Sequence, residues 1–291
     1  MKSFSQKTKE AICKLALNKS CCIAAEMIGI LIFAGRIKEN SVRVSSESSV
    51  IVKRLAVLVK RFCGEGITVE ETGNSFFCTI ANKNVIDLFL HYEKGNTVKI
   101  EAFTNEDCCK GSFLRGAFLG GGILVDPKKN YNLEFIATEE RTKNTLETVM
   151  ANMQLDFKTT KRKNSYVLYS KNSDTVCDAL TYMGAVGAQM QILNLKIERE
   201  LRNDLNRVNN GELANMDKVL DAAARQAKAI QKIEDTIGIE KLPDDLREVA
   251  LMRKSNMDLS LDALGKRLNP PLTKSGVNHR LKRIMEMADK L

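Results

Sequence analysis

The sequence predicts an α+β protein in three parts: a duplicated αββαββα unit over residues 1–185, a helical linker over 186–238, and an all-α C-terminal domain over 239–291. Three observations predict this. One cysteine-glycine stretch is written twice, the alternating β pattern stops after Gly187, and the last fifty residues break into short helices around a proline turn. An internal repeat constrains a fold more than any local propensity, so the repeat comes first.

The repeated stretch runs Cys21-Cys22-Ile-Ala-Ala-Glu-Met-Ile-Gly29 to Gly35 and again Cys108-Cys109-Lys-Gly-Ser-Phe-Leu-Arg-Gly116 to Gly122. Cys22 and Cys109, Gly29 and Gly116, and Gly35 and Gly122 each stand 87 positions apart. Beyond it, Val44–Leu55 pairs with Phe135–Leu146 and Thr72–Phe76 with Arg162–Tyr166, the register slipping at an insertion near Asp126-Pro-Lys-Lys. The repeats therefore cover about 20–92 and 107–182. Each opens with an apolar segment too long for a strand, which reads as a buried helix. Two short β-type runs follow, then an amphipathic helix with Ile51, Leu55, Leu58, Val59 and Phe62 on one face. A hairpin joins Ile67–Glu71 to Phe76–Ile80 through Thr72-Gly-Asn-Ser75, where Gly-Asn supplies turn chemistry. Val85–Leu90 closes the unit as a helix.

This doubled unit resembles the single-chain LAGLIDADG homing endonucleases, with matching nonapeptides Met27–Gly35 and Leu114–Gly122. The resemblance implies that the two motif helices pack at a pseudo-two-fold axis, with Gly29 and Gly116 allowing close approach. It also implies a metal-binding acid at the eighth motif position, which here is Ala34 in one copy and Gly121 in the other. Phosphodiester hydrolysis needs carboxylates to hold divalent metal, and neither residue ligates magnesium. The nearest acids, Glu39 and Asp126, lie beyond the motif ends. The expected reading is a catalytically dead descendant, with no catalytic residue, cofactor or bound metal.

Composition fits such a protein. An apolar fraction of 44% in 291 residues supports two or three ordinary cores. No apolar run approaches twenty residues and the first ten are too polar for a signal peptide, so a soluble, cytoplasmic protein without a membrane partner is expected. Four of eight cysteines form the adjacent pairs Cys21-Cys22 and Cys108-Cys109, which lack C-x-x-C spacing, and only two histidines occur. They read as small buried residues at helix starts in a reducing compartment, with a redox-sensing role as the alternative, and not as a metal site. The net charge of +9 favours a polyanionic partner. In the second hairpin Lys158, Lys161, Arg162 and Lys163 crowd together with Lys128 and Lys129 nearby, whereas the first carries Glu70 and Glu71 against Arg36, Lys38 and Arg43. If the two sheets form a saddle, its second half is expected to be the better DNA-facing surface; a lysine-rich hairpin that is merely solvated is the alternative reading.

After Gly187 two long helices are predicted, Gln189–Val208 and Met216–Ile237, separated by a break at Asn209–Asn215. Leu220, Ala223, Ala227, Ile230 and Ile237 make a narrow apolar stripe on the second. Next, Pro243-Asp-Asp opens a helix with acids near the positive end of its dipole. Ser260 caps a short helix ending at Leu268, and Asn269-Pro-Pro-Leu forces a turn into a basic helix capped by Thr273. Helix, helix, turn, basic helix is a helix-turn-helix. Val277, Leu281 and Ile284 recur on its core side, leaving Lys274, Ser275, Asn278, His279 and Lys282 to face base edges in a major groove. Arg267, Arg280 and Arg283 are placed for phosphates. His279, without companion ligands, reads as a base or phosphate contact and His91 as a helix-end residue.

A degenerate LAGLIDADG-like domain, a helical linker and a C-terminal helix-turn-helix together resemble the WhiA family of sporulation and cell-division transcription regulators. Ser3-Phe-Ser, the degenerate motifs, the Asn209–Lys218 stretch and Thr273-Lys-Ser-Gly-Val-Asn-His-Arg-Leu281 carry that resemblance. It implies binding to double-stranded DNA at promoters or chromosomal sites on the nucleoid, and effects on division genes. Two other readings stay open: an active endonuclease with a compensating acid, and an N-terminal domain that docks a ligand or a protein of the transcription machinery. The duplication already supplies a pseudo-dimer, so a monomer is the default.

Overall fold

A computed structural model describes residues 2–16, 18–73, 75–94 and 104–291. The chain divides into two compact units, Met1–Glu198 and Arg199–Leu291.

In the first unit, α1 (Phe4–Ile12) starts from a capping box, Ser3 accepting from the Gln6 amide and Gln6 returning the bond to Ser3. The doubled unit follows. Its first copy runs α2 (Ser20–Ala34), β1 (Gly35–Lys38), β2 (Ser41–Ser46), α3 (Ser49–Cys63), β3 (Val69–Thr72), β4 (Ser75–Ile80) and α4 (Lys83–Glu93). Its second runs α5 (Asp107–Gly121), β5 (Gly122–Leu124), β6 (Leu133–Ala137), α6 (Glu140–Asn152), β7 (Lys158–Arg162), β8 (Ser165–Ser170) and α7 (Ser173–Met183). The antiparallel sheets have the same order, β1-β2-β4-β3 and β5-β6-β8-β7, so the duplication in sequence is a duplication in topology. The copies differ at the expected insertion. β1 and β2 turn through Glu39-Asn40, whereas β5 and β6 are joined by a longer loop in which the Asp126 carboxylate accepts from the Lys128 amide at 3.0 Å. At the hairpin tips Gly73 and Lys163 both take positive φ; Asn74, the other half of the expected Gly-Asn turn, lies outside the described residues.

The motif helices α2 and α5 are the centre of the unit. Every residue of α2 from Ile23 to Phe33 is buried, which a helix this apolar all round requires. A Cβ on Gly29 would stand 2.4 Å from the Phe113 carbonyl oxygen, and one on Gly116 would stand 2.1 Å from that of Glu26. Only glycine permits this approach. Glu26, fully buried, binds Arg54 through both carboxylate oxygens at 2.7 and 3.0 Å and Arg115 at 3.0 Å. Arg54 also donates to the carbonyls of Cys13 and Leu15, and Arg115 to that of Met183. The buried carboxylate is thus both neutralised and fully hydrogen-bonded, the condition under which such a charge is tolerated.

The expected helix break is corrected. α8 spans Val186–Thr236 without interruption, through Asn209-Asn-Gly-Glu-Leu-Ala-Asn215. Asn and Gly cost about 0.5–1 kcal/mol each inside a helix, but ending it there would need two new helix ends and a second nucleation. Ala188 and Ile192 near its start belong to the first core, and Ile230 and Ile233 near its end to the second. Leu220, expected on the buried stripe, is exposed.

In the second unit a one-turn 3-10 helix at Ile239–Lys241 leads to α9 (Asp244–Ser255), α10 (Leu261–Arg267) and α11 (Lys274–Asp289). Pro243 sits at the N-cap of α9, one residue ahead of the first turn. Ser260 accepts from the Ala263 amide and Thr273 from that of Gly276, as their positions predict. The turn before α11 closes tightly: a Cβ on Gly265 would stand 2.1 Å from the Leu272 carbonyl oxygen. Leu246, Val249, Leu264, Leu268, Val277, Leu281 and Ile284 fill the core.

Candidate nucleic-acid interface

Burial of Val277, Leu281 and Ile284 fixes the rotation of α11, so the opposite face is set by helical spacing. Lys274, Ser275, Asn278, His279 and Lys282 are all exposed there. Among the described residues, Lys274, Asn278 and His279 make no side-chain hydrogen bond or ion pair; Ser275 shares one with Thr273 at 3.0 Å and Lys282 lies 3.9 Å from Glu286. Donors and acceptors are thus presented at the start of the third helix, where a major-groove reader presents them.

The arginines divide differently. Arg280 donates to the Asp245 carbonyl at 3.2 Å, and Arg283 pairs with the Asp245 carboxylate at 3.3 Å. Both therefore fasten α11 to the start of α9, and phosphate binding by either competes with that contact. Arg267 is exposed and donates to Asn256 at 3.1 Å. A residue that sequence reasoning passed over is Arg253, 2% exposed, which donates to the carbonyls of Asn256 and Leu259 beyond the end of α9.

Register divides the basic residues of the second sheet between its two faces. Phe135 packs in the core and pairs with Leu168, which pairs with Thr159, so the alternate residues Lys158, Thr160 and Arg162 share the face away from the helices. Lys161 points to the helix side, its ammonium 5.3 Å from the Tyr166 ring centre. Arg162 is on the outer face but pairs with Glu134 at 3.3 Å. Lys163 occupies the turn. On the first sheet, Val42 and Val44 face the core, and their neighbours Arg36, Lys38 and Arg43 share the outer face with Phe77 and Glu70. Arg43 stacks 4.3 Å over the Phe77 ring. The first sheet carries the more basic outer face.

At the motif ends Glu93 and Glu139 line the cleft beside Gly35, but among the described residues they are not joined by a third metal donor. A Cβ on Gly121 would meet the Phe33 ring at 2.6 Å and the Ile136 carbonyl at 2.9 Å, so the position a carboxylate would need is filled. Glu39 stands in the β1–β2 turn, and the Asp126 carboxylate is engaged in its own loop. Among the described residues, no three carboxylates converge as metal donors.

The other ends of the same helices hold a cluster that sequence reasoning missed. The Sγ atoms of Cys21, Cys22, Cys108 and Cys109 all lie within 4.8 Å of one another. Cys21 and Cys108 are exposed, Cys22 half-buried and Cys109 buried, so the expectation of four inert buried thiols fails. A hydrogen bond with Cys109 draws the Cys21 thiol below its ordinary range, while burial pushes Cys22 and Cys109 up. The signal was present: an offset of 87 that superposes Gly29 on Gly116 also superposes the two cysteine pairs.

A degenerate LAGLIDADG-like scaffold joined to a helix-turn-helix defines a class of two-part protein. Family profiles agree, the WhiA LAGLIDADG-like domain matching residues 110–202 and the WhiA C-terminal HTH domain residues 205–288. The chain is 34% identical to the probable cell division protein WhiA of Alkaliphilus metalliredigens over 99% of its own length and 98% of the relative's. The WhiA of Ruminiclostridium cellulolyticum is 33% identical with the same coverage. Full-length WhiA from Thermotoga maritima superposes with a TM-score of 0.64 at 28% identity, covering 100% of this chain and 99% of that one. The chain belongs to the WhiA family.

Proposed function

We propose that this protein is a sequence-specific transcription regulator of the cell-division and sporulation kind, which binds double-stranded DNA and has no nuclease activity. The observation that carries the reading is the outer face of α11, where Lys274, Asn278 and His279 are exposed and uncommitted while the inner face is locked in the core. Asn278 is suited to read a base, Lys274 and Lys282 to meet phosphate or base edges. Loss of the motif acids at Ala34 and Gly121, with Phe33 packed over the second, supports a scaffold freed from cleavage.

One helix-turn-helix reads only a few base pairs, so a second contact is needed. The outer face of the first sheet, with Arg36, Lys38 and Arg43, supplies one on DNA. A second reading makes the N-terminal domain a dock for a ligand or a protein of the transcription machinery; it is favoured by the second sheet, where Arg162 is tied to Glu134 and Lys161 to Tyr166. The protein acts as a monomer in the cytoplasm, at the nucleoid.

Binding to duplex DNA measured against salt tests this. Lys274→Ala should reduce the salt slope by about 1, as loss of one phosphate contact does. Supercoiled plasmid incubated with the protein and magnesium or manganese should stay intact, and nicking that Glu39→Gln or Asp126→Asn abolishes would establish the endonuclease reading instead.

A further inference from the structure

We propose that Cys21, Cys22, Cys108 and Cys109 form a tetrathiolate site for one zinc ion that ties the two repeats together at the N-terminal ends of α2 and α5. The two cysteine pairs occupy equivalent places, the second and third residues of each helix. The glycine contact between the helices brings these ends together, and the four sulfurs converge within 4.8 Å, Cys108 and Cys109 at 3.9 Å. A tetrahedral ion with Zn–S bonds of about 2.3 Å needs sulfurs about 3.8 Å apart. Only the widest pairs must close, by about 1 Å, which side-chain rotation supplies.

The surroundings suit the charge. Binding releases four thiol protons to solvent and leaves a Zn(SR)₄ group of net charge −2. Neither helix has a side-chain cap on its first turn, so the positive ends of two helix dipoles lie at the thiolates, although the Cys109 amide is already taken by the Glu106 carbonyl at 2.8 Å. Lys19 and Arg115 line the same open cleft as Cys22 and Cys108, and the Asp107 carboxylate at its edge is paired with Lys110 at 2.8 Å. All four donors are soft sulfur, which selects zinc over magnesium or calcium. This site is separate from the lost acid positions: Cys21 and Ala34 are thirteen residues apart on one helix, about 20 Å at 1.5 Å per residue. The role is to staple the halves of a duplication whose sheets, among the described residues, share no strand.

The test uses the full chain, purified under reducing conditions without chelator. Elemental analysis should find one zinc per chain, and cobalt titration should give the thiolate-to-cobalt charge-transfer bands of a tetrahedral sulfur site. Cys21→Ser with Cys108→Ser, both exposed and therefore tolerated by the fold, should lose both signals; Cys63→Ser should keep them. A strong chelator should lower the melting temperature of the wild type, reversibly with zinc, and leave that of the double variant unmoved. Zinc bound equally by the double variant overturns the proposal. So does cobalt uptake without charge-transfer bands, or mass spectrometry showing these cysteines as disulfides in the reduced preparation.

Discussion

Gly116→Ala adds one methyl group where α2 and α5 cross. Its carbon would stand 2.1 Å from the Glu26 carbonyl oxygen and 2.9 Å from the Ile30 nitrogen, both backbone atoms of the facing helix. No side-chain rotation relieves that, so the helices must part by roughly 1 Å along an interface that includes Met27, Ile30, Phe113 and Ala117, all fully buried. Overpacking of this kind costs about 1–3 kcal/mol, and a backbone clash takes the upper end. Alanine's better helix propensity returns about 1 kcal/mol, leaving a net loss of about 2 kcal/mol. For a unit of this size the melting temperature should fall by roughly 4–8 °C. The five tyrosines, Tyr92, Tyr131, Tyr166, Tyr169 and Tyr182, all lie in the first unit and the chain has no tryptophan, so tyrosine fluorescence during urea unfolding reports that unit alone. Gly211→Ala is the matched control. It sits in α8 with nothing within 4 Å of an added Cβ, and should stabilise its helix by up to about 1 kcal/mol, seen by circular dichroism. If both substitutions shift stability in the same direction, the helix contact is not the glycine-dependent one described.

Glu26→Ala leaves Arg54 and Arg115 as buried cations without their carboxylate and should cost about 3–5 kcal/mol in urea unfolding; a loss under 1 kcal/mol would mean the pair is solvated. Lys9 is half-buried against Phe118, and its desolvation there lowers its pKa from 10.5 to about 8. Between those values the unfolded chain holds more protons, so stability rises with pH through this window and the penalty, no more than about 3 kcal/mol, is fully present below pH 8. Lys9→Met should therefore be more stable than wild type at pH 7, with an advantage that shrinks by pH 10; an unchanged difference between the two would contradict the burial. Asn278→Ala should lose about 1–3 kcal/mol of discrimination at one base pair in competition binding, whereas uniform weakening on all sequences would reassign it to phosphate.

What was legible in the sequence followed from periodicity and from repetition. The 87-residue offset matched Gly29 to Gly116 and the resemblance to the LAGLIDADG family implied their contact, while the spacing of Val277, Leu281 and Ile284 predicted which side of α11 is exposed. Caps at Ser260 and Thr273 were legible because their bonds span three residues. The failures were through-space. Glu134 and Arg162 stand 28 residues apart, and Asp245 and Arg283 stand 38 apart, so charge counts along the chain placed free cations where the fold makes ion pairs. The separation of Lys161 from Lys158 and Arg162 was not legible because a strand's face depends on registry with its neighbour, which a run of basic residues does not reveal. The Asn209–Asn215 stretch was read by local propensity, and cooperativity with strong helix formers on both sides prevailed. The cysteine cluster was judged by spacing within one segment, although its geometry comes from the pairing of two.

The central claim, that the outer face of α11 selects DNA sequence, is tested most directly by sequencing genomic fragments retained by the full-length protein and by full-length Lys274→Ala/Asn278→Ala/Lys282→Ala at moderate salt. The account predicts a short motif enriched by the wild type and lost by the variant, with both chains equally folded. Enrichment of the same motif by both would place sequence reading elsewhere, on the N-terminal sheets, and contradict it.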